Sequence, residues 1–133
     1  MTEFHLQIVT PDGLIFDGMI ESLLVPTNDG DVEFLARHID FIAPLGVGRA
    51  RIRQQGIDKY AALSGGFVTI TGGEAQLIAI TFEFKEDIDI KRARCAKERA
   101  KEIISTSNDS KSIEIAKHKL QRALARIKVA ETK

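Results

Sequence analysis

The chain has 133 residues, 19 Lys/Arg against 19 Asp/Glu, and 44% hydrophobic content with seven Phe, one Tyr and no Trp. That length suits one domain or one domain with an appendage, and the apolar fraction is enough to fill a core. The single cysteine excludes an internal disulfide and a cysteine-based zinc site, and one Tyr without Trp leaves little for base stacking.

The first 85 residues read as short strands divided by turns. Phe4, Leu6 and Ile8 alternate with His5 and Gln7, and Pro11-Asp12-Gly13 then turns the chain into Leu14-Ile15-Phe16. A run over 19–25 ends at Pro26 and the turn Thr27-Asn28-Asp29-Gly30. Further runs cover 32–35, 41–47, 49–53, 60–63, 67–71 and 76–82, separated by bends at Gly56, Gly65-Gly66 and Gly72-Gly73. About ten strands with no helix between them predict a sandwich or flattened barrel. Leu77-Ile78-Ala79-Ile80 reads as core strand, whereas Arg49-Ala50-Arg51-Ile52-Arg53 alternates and is expected to show its arginines to water.

The last third changes period. Small or apolar residues at Ala93, Ala96, Ala100 and Ile103, then Ile113, Ala116, Leu120, Ala123, Ile127 and Ala130, step by three and four as in a coiled-coil seam. The Ser/Thr/Asn/Asp-rich stretch 105–112 favours a turn between two helices. In an antiparallel pair, facing positions have a constant sum. Ile103 with Ile113, Ala100 with Ala116, Ala96 with Leu120 and Ala93 with Ala123 all satisfy it. Cys95 reads as a helix-packing residue. The fold class is therefore α+β: an N-terminal antiparallel β-sandwich of about ten strands over 1–85, then a C-terminal antiparallel two-helix hairpin over 86–133.

The seam is poor in bulk. Its large aliphatics are Ile103, Ile113, Leu120 and Ile127, each worth roughly 1.5–3 kcal/mol if fully buried. Ordering a residue costs about 1–2 kcal/mol, so the hairpin needs a neighbour or ligand. In the same register Arg92 faces Arg126 and Arg99 faces Lys119, with Arg122 one turn away. Like charges so placed favour a polyanion between them; the plainer alternative is a solvated basic face. Charge also divides the chain, with net −5 over 1–85 and net +5 over 86–133. A mobile basic arm on an acidic body implies a choice of docking partners.

No catalytic constellation stands out. There is no glycine-rich loop followed by Lys-Ser/Thr, and His5, His38 and His118 lie on separate elements. Asp29, Asp31 and Glu33 sit where turns and strand ends expose acids. The chain reads as a non-enzyme with no catalytic or metal-ligating residue. With neither a secretory leader nor an apolar run long enough to span a bilayer, the expectation is a soluble protein that does not insert into the membrane.

Four stretches together carry a family resemblance: Val9-Thr10-Pro11-Asp12-Gly13, the region 30–38, Ser64-Gly65-Gly66-Phe67, and Ile88-Asp89-Ile90-Lys91-Arg92-Ala93. The chain resembles, over its whole length, the epsilon subunit of the bacterial F-type ATP synthase. The resemblance implies a central-stalk subunit of the proton-translocating enzyme that touches the gamma subunit and the c-subunit ring. Its C-terminal helices would either fold down on the sandwich or extend into the alpha/beta catalytic hexamer and inhibit hydrolysis. It implies no required cofactor but ATP as a regulatory ligand of the folded-down state, with magnesium left open. The location implied is peripheral, at the cytoplasmic face of the bacterial cell membrane.

Family nucleotide-binding positions that match here are Glu83, Ile88, Asp89, Arg92, Ala93, Arg99, Arg122 and Arg126. The arginines suit phosphates, and Asp89 and Glu83 suit ribose or base. Asp31 and His38 fall in the region the family presents to the rotor. An extended second helix would offer Lys117, Lys119, Arg122, Arg126 and Lys128 to acidic catalytic subunits. One stretch departs from the family pattern: Glu33-Phe34-Leu35-Ala36-Arg37-His38 keeps the His but lacks the usual Pro-Gly, and Asp40 replaces a later Pro. An ion pair of Arg37 with Asp40 or Asp31 would hold such a loop. The alternatives are a free-standing nucleotide sensor or a nucleic-acid-binding module without a rotor partner.

Overall fold

The computed structural model describes residues 2–132. Ten strands precede two helices: β1 (Phe4–Thr10), β2 (Gly13–Ile20), β3 (Ser22–Thr27), β4 (Gly30–Leu35), β5 (Phe41–Pro44), β6 (Val47–Gln54), β7 (Ile57–Ser64), β8 (Phe67–Thr71), β9 (Glu74–Ile78), β10 (Thr81–Phe84), α1 (Ile90–Thr106) and α2 (Ser110–Ala130). One sheet has the order β2-β1-β9-β8-β5, the other β10-β7-β6-β3-β4. The α+β reading, sandwich then hairpin, is what the structure contains. Every strand pair is antiparallel except β1 with β9, which runs parallel from Leu6 opposite Ala75 to Val9 opposite Ile78. Alternation sets the core: Phe4, Leu6 and Ile8 of β1 meet Leu23 and Val25 of β3, Phe34, Ile52, Leu63 and Leu77, all buried.

The expected single strand over 76–82 is two strands in different sheets. Ala79 N–H donates to Val9 O at 3.0 Å in one sheet, and the next residue, Ile80, donates to Ser64 O at 3.2 Å in the other. The chain changes layers within one residue because Gly66 leaves room for it. A Cβ on Gly66, whose φ is +96°, would lie 1.8 Å from the Ile78 carbonyl oxygen. The glycine pair of Ser64-Gly65-Gly66-Phe67 is thus a requirement of close backbone approach.

Three other expectations are corrected. Cys95 is exposed and is not a buried helix-packing residue. The arginines of β6 do lie on the outer face, yet none simply faces water: Arg49 stacks over the Tyr60 ring, Arg51 pairs with Glu33, and Arg53 Nε donates to Asp58 at 2.8 Å. Arg37 makes no ion pair among the described residues. Asp40 instead accepts from the Gly72 N–H at 3.0 Å, and Arg37 occupies the left-handed region with φ of 65°. It takes the conformation a glycine would, and a side chain there costs about 1–2 kcal/mol.

The hairpin loop is shorter than the 105–112 stretch predicted. α1 runs to Thr106, three residues intervene, and Asp109 caps α2 by accepting from Lys111 N–H at 3.2 Å. Ser112 and then the backbone N–H groups hold the Asp109 carboxyl below the usual carboxylate range. The seam's centre is alanine. Ala93 and Ala100 of α1 and Ala116 and Ala123 of α2 are buried, whereas Ile103, Ile113, Leu120 and Ile127 are half-buried at its flanks. A second stripe on α2, Ala125 and Val129, is buried against β6 and β7.

Two substitutions test these backbone readings by urea unfolding. Gly66→Ala is expected to lower stability by more than about 2 kcal/mol, through collision with backbone that has no rotamer in which to escape. Arg37→Gly is expected to raise it by up to about 1 kcal/mol, as relief of left-handed strain outweighs the added freedom of the unfolded chain.

Candidate functional site

Two surfaces gather the chemistry. The first lies where α2 rests on the sandwich. Arg122, Ala125 and Arg126 of α2 line a narrow cleft with Ala62, Leu63 and Ser64 of β7 and Thr81 of β10. Arg126 Nε donates to Glu83 Oε1 of β10 at 2.5 Å, both side chains being about one-third exposed. Two residues named separately in the sequence are thereby joined. The same contact corrects the expected charge frustration: Arg126 is not a free cation facing Arg92 but is neutralised by a carboxylate of its own chain. Its two terminal amino groups make no hydrogen bond among the described residues.

The other candidate positions sit along α1 and its approach. Ile88 follows a single 3₁₀ turn at Lys85–Asp87 and donates its N–H to Lys85 O at 3.3 Å. Asp89 caps α1 by accepting from Arg92 N–H at 3.1 Å, so its carboxylate already has a structural partner. Ala93 is buried in the seam. Arg92 and Arg99 are exposed and make no ion pair among the described residues. Lys117, Lys119 and Lys128 are exposed; Lys119 lines a separate groove of about 390 Å³ near the hairpin loop, with Ile103 and Ile115. His38 and Asp31 are not neighbours. Asp31 is exposed at the start of β4, and His38 lies beyond its other end, packed edge-on against Phe34 and Phe41 at 4.9 and 5.8 Å between ring centres. Its Nδ1 bonds to Ile39 O at 2.7 Å.

Three contacts at this junction carried no signal in the sequence reading. Lys85 Nζ donates to the Thr132 carbonyl, Arg49 Nη1 lies 3.4 Å from Thr132 Oγ1, and Arg94 of α1 pairs with Glu131 at 3.9 Å. Ala125 and Val129 were legible in principle, as a four-residue repeat on the side of α2 away from the seam.

The second surface is the outer face of the sheet β2-β1-β9-β8-β5. Strand register aligns Leu14, Val9, Ile78, Phe67 and Pro44 in one row across all five strands. Leu14 is 57% and Phe67 42% exposed, and Ile42 beside them is 70% exposed. Among the described residues no helix covers this row. Such a contiguous apolar band is the mark of a docking surface. Farther along the same face, His5 lies between two carboxylates, with Nε2 2.5 Å from Asp17 Oδ1 and Nδ1 3.8 Å from Glu74 Oε1. The hydrogen bond to Asp17 comes first among the causes that raise the His5 pKa above 6.5. Among the described residues no helix is long and apolar enough to cross a membrane.

Comparison with known proteins covers both parts of the chain. The family described as "ATP synthase, Delta/Epsilon chain, beta-sandwich domain" matches residues 3–85, and "ATP synthase, Delta/Epsilon chain, long alpha-helix domain" matches 86–131. The ATP synthase epsilon chain of Halalkalibacterium halodurans is 37% identical over 131 residues, 98% of each chain. That of Bacillus velezensis is 38% identical over 130 residues, again 98% of each. Among solved structures, a chain of the Euglena gracilis mitochondrial ATP synthase superposes with a TM-score of 0.86 at 20% identity, covering 99% of this chain and 83% of that one. A chain from the central stalk and c-ring of the Tetrahymena thermophila enzyme gives 0.65 at 17% identity, covering 97% of each. These two likenesses concern the fold.

The His5 cluster yields a pH prediction. A raised folded-state pKa means that its contribution to stability is fully present below about pH 6.5 and is lost as pH rises through the folded value. An NMR titration is expected to place the His5 midpoint above 6.5, and Asp17→Asn to bring it down. A midpoint unmoved by that substitution would show the contact to be without effect.

Proposed function

The chain belongs to the epsilon-chain family of ATP synthase, as a non-catalytic subunit of the central stalk, and from that premise we propose that it couples rotor to catalytic sector and restrains ATP hydrolysis through its hairpin. Whole-chain relatedness to stalk subunits displaces the free-standing sensor and the nucleic-acid reading. The observation that carries the coupling role is the uncovered row from Leu14 to Pro44. Five apolar side chains in register on a rigid sheet suit a lasting contact with the gamma subunit, with the sandwich ends left for the c ring. The protein then works peripherally at the cytoplasmic face of a proton-translocating membrane, touching the alpha/beta hexamer only when the helices rise.

The regulatory role follows from what the folded-down hairpin covers. Of the five cations proposed to dock on the catalytic subunits, Lys117, Lys119 and Lys128 are exposed, but Arg122 and Arg126 are turned into the cleft against the sandwich. Inhibition therefore needs release. ATP opposes release by binding the folded-down form. Arg92, Arg99, Arg122 and Arg126 take its phosphates, while Glu83 and Asp89, beside Ile88 and Ala93, bound the ribose and base end. Among the described residues Arg126 bonds through Nε, to Glu83, which leaves its terminal nitrogens for phosphate. A ligand at a hundredfold its Kd favours the form it binds by about 2.7 kcal/mol, enough to reverse a marginal equilibrium.

Two measurements test the two halves. Phe67→Asp with Ile78→Asp is expected to abolish co-assembly with the gamma subunit while the isolated chain stays folded; wild-type assembly would remove the docking row from the reading. Titration of the isolated chain with ATP is expected to show binding weakened at least about tenfold in Arg92→Ala/Arg126→Ala. Equal affinity would overturn the nucleotide site.

A further inference from the structure

Only part of α2 rests on the sandwich. Ile115, Arg122, Arg126 and Val129 lie on one helical face, yet Ile115 is 48% exposed whereas Val129 is fully buried. The loop end of the hairpin overhangs, and attachment is concentrated in the last turns of α2. There the helix C-terminus meets two cations from different elements. Lys85, in the turn that leads into the hairpin, donates to the carbonyl of Thr132, 47 residues later. Arg49, fixed over the Tyr60 ring at 5.1 Å, reaches the Thr132 hydroxyl. That hydroxyl donates in turn to Lys128 O at 2.9 Å, and Thr132 N–H donates to Val129 O at 3.0 Å, so the turn being held is itself ordered. Cations at the negative end of a helix dipole, donating to carbonyls that lack helical partners, are favourably placed.

We propose that Lys85 and Arg49 form a clasp on the C-terminal turn of α2, and that this clasp, more than the alanine seam, decides whether the whole hairpin stays down. The seam joins α1 to α2 and travels with them. It does not tie the pair to the sheet. What ties them is the packing of Ala125 and Val129 on β6 and β7, the Arg126–Glu83 pair and the clasp. Of these the clasp lies at the extreme end, where peeling starts. Because Lys85 is also the first residue of the connection, the clasp closes the hairpin into a ring at its own hinge. A partner that takes the last turn of α2 opens that ring and frees all of 88–132 together. The clasp rests on the hairpin being the mobile regulatory element proposed above, but its test needs neither nucleotide nor partner, so failure of the ATP site and failure of the clasp are separately visible.

The natural Cys95, exposed on α1, gives one label position, and Ile57→Cys at the β6–β7 turn gives a second. Distances between nitroxides on these two sites, measured on the full chain without ATP, should form one short population. In Lys85→Met/Arg49→Met the longer-distance population should rise roughly tenfold, and Lys85→Arg in place of Lys85→Met should restore the short one. Raising salt to about 1 M should act in the same direction as the double substitution. Arg94→Met, which removes the exposed pair between the helices but spares the clasp, should leave the distribution unchanged. An unchanged distribution in Lys85→Met/Arg49→Met overturns the proposal. So does a broadened one accompanied by loss of helical circular dichroism, since that would be hairpin unfolding and not lifting.

Discussion

Alanine on two opposite faces of α2 lets that helix lie between α1 and the sheet at once, with Ala116 and Ala123 on one side and Ala125, beside Val129, on the other. Each methyl removes little area from water, of order 0.8 kcal/mol per buried carbon. The close approach is thus gained without the large apolar burial that would make it permanent. Polar contacts at the edge of each alanine layer then carry a larger share of the attachment than they would beside a leucine-rich seam. That is why Glu83, Lys85 and Arg49 matter more than their half-exposed settings would suggest.

The separation of charge along the sequence takes a specific form in the fold. The acidic body and basic arm do not merely attract through space. They meet at Arg126 with Glu83, and the arm's C-terminal carbonyl end meets body cations at Lys85 and Arg49. The first contact follows the overall dipole, and the second reverses it through the helix macrodipole. A docked arm held by both is sensitive to ionic strength and to anything anionic that competes for Arg126.

The sandwich and the hairpin were legible because their periods differ, two in one and 3.6 in the other, and because the turns carry their own glycines. What escaped was whatever depends on register between distant segments. The row Leu14, Val9, Ile78, Phe67 and Pro44 has no sequence spacing that reveals it, since it exists only once β1 pairs with β9. The layer change at Ala79 and Ile80 was hidden in an unbroken apolar run that looks like one core strand. Arg37 and Cys95 misled in a different way: a long cation implied a salt bridge and a thiol implied burial, yet backbone geometry used the first and solvent received the second. Arg122 and Arg126 fall by spacing at the edge of the seam, although the Ala125/Val129 stripe beside them belongs to another neighbour.

The parallel pairing of β1 with β9 also governs the order in which the chain becomes structured during synthesis. Gln7 and Gln76, bonded at 3.2 Å, lie 69 residues apart. Leaving the ribosome, β1 has only β2 as a hydrogen-bonded strand partner until residue 78 has emerged, and a two-stranded ribbon is marginal in water. The first sheet is therefore among the last parts to close, whereas the α1–α2 seam, whose facing residues are local, needs no such distant pairing. Until then the strand bearing Phe4, Leu6 and Ile8 keeps an open edge, which makes the nascent N-terminal half the segment most in need of chaperone protection.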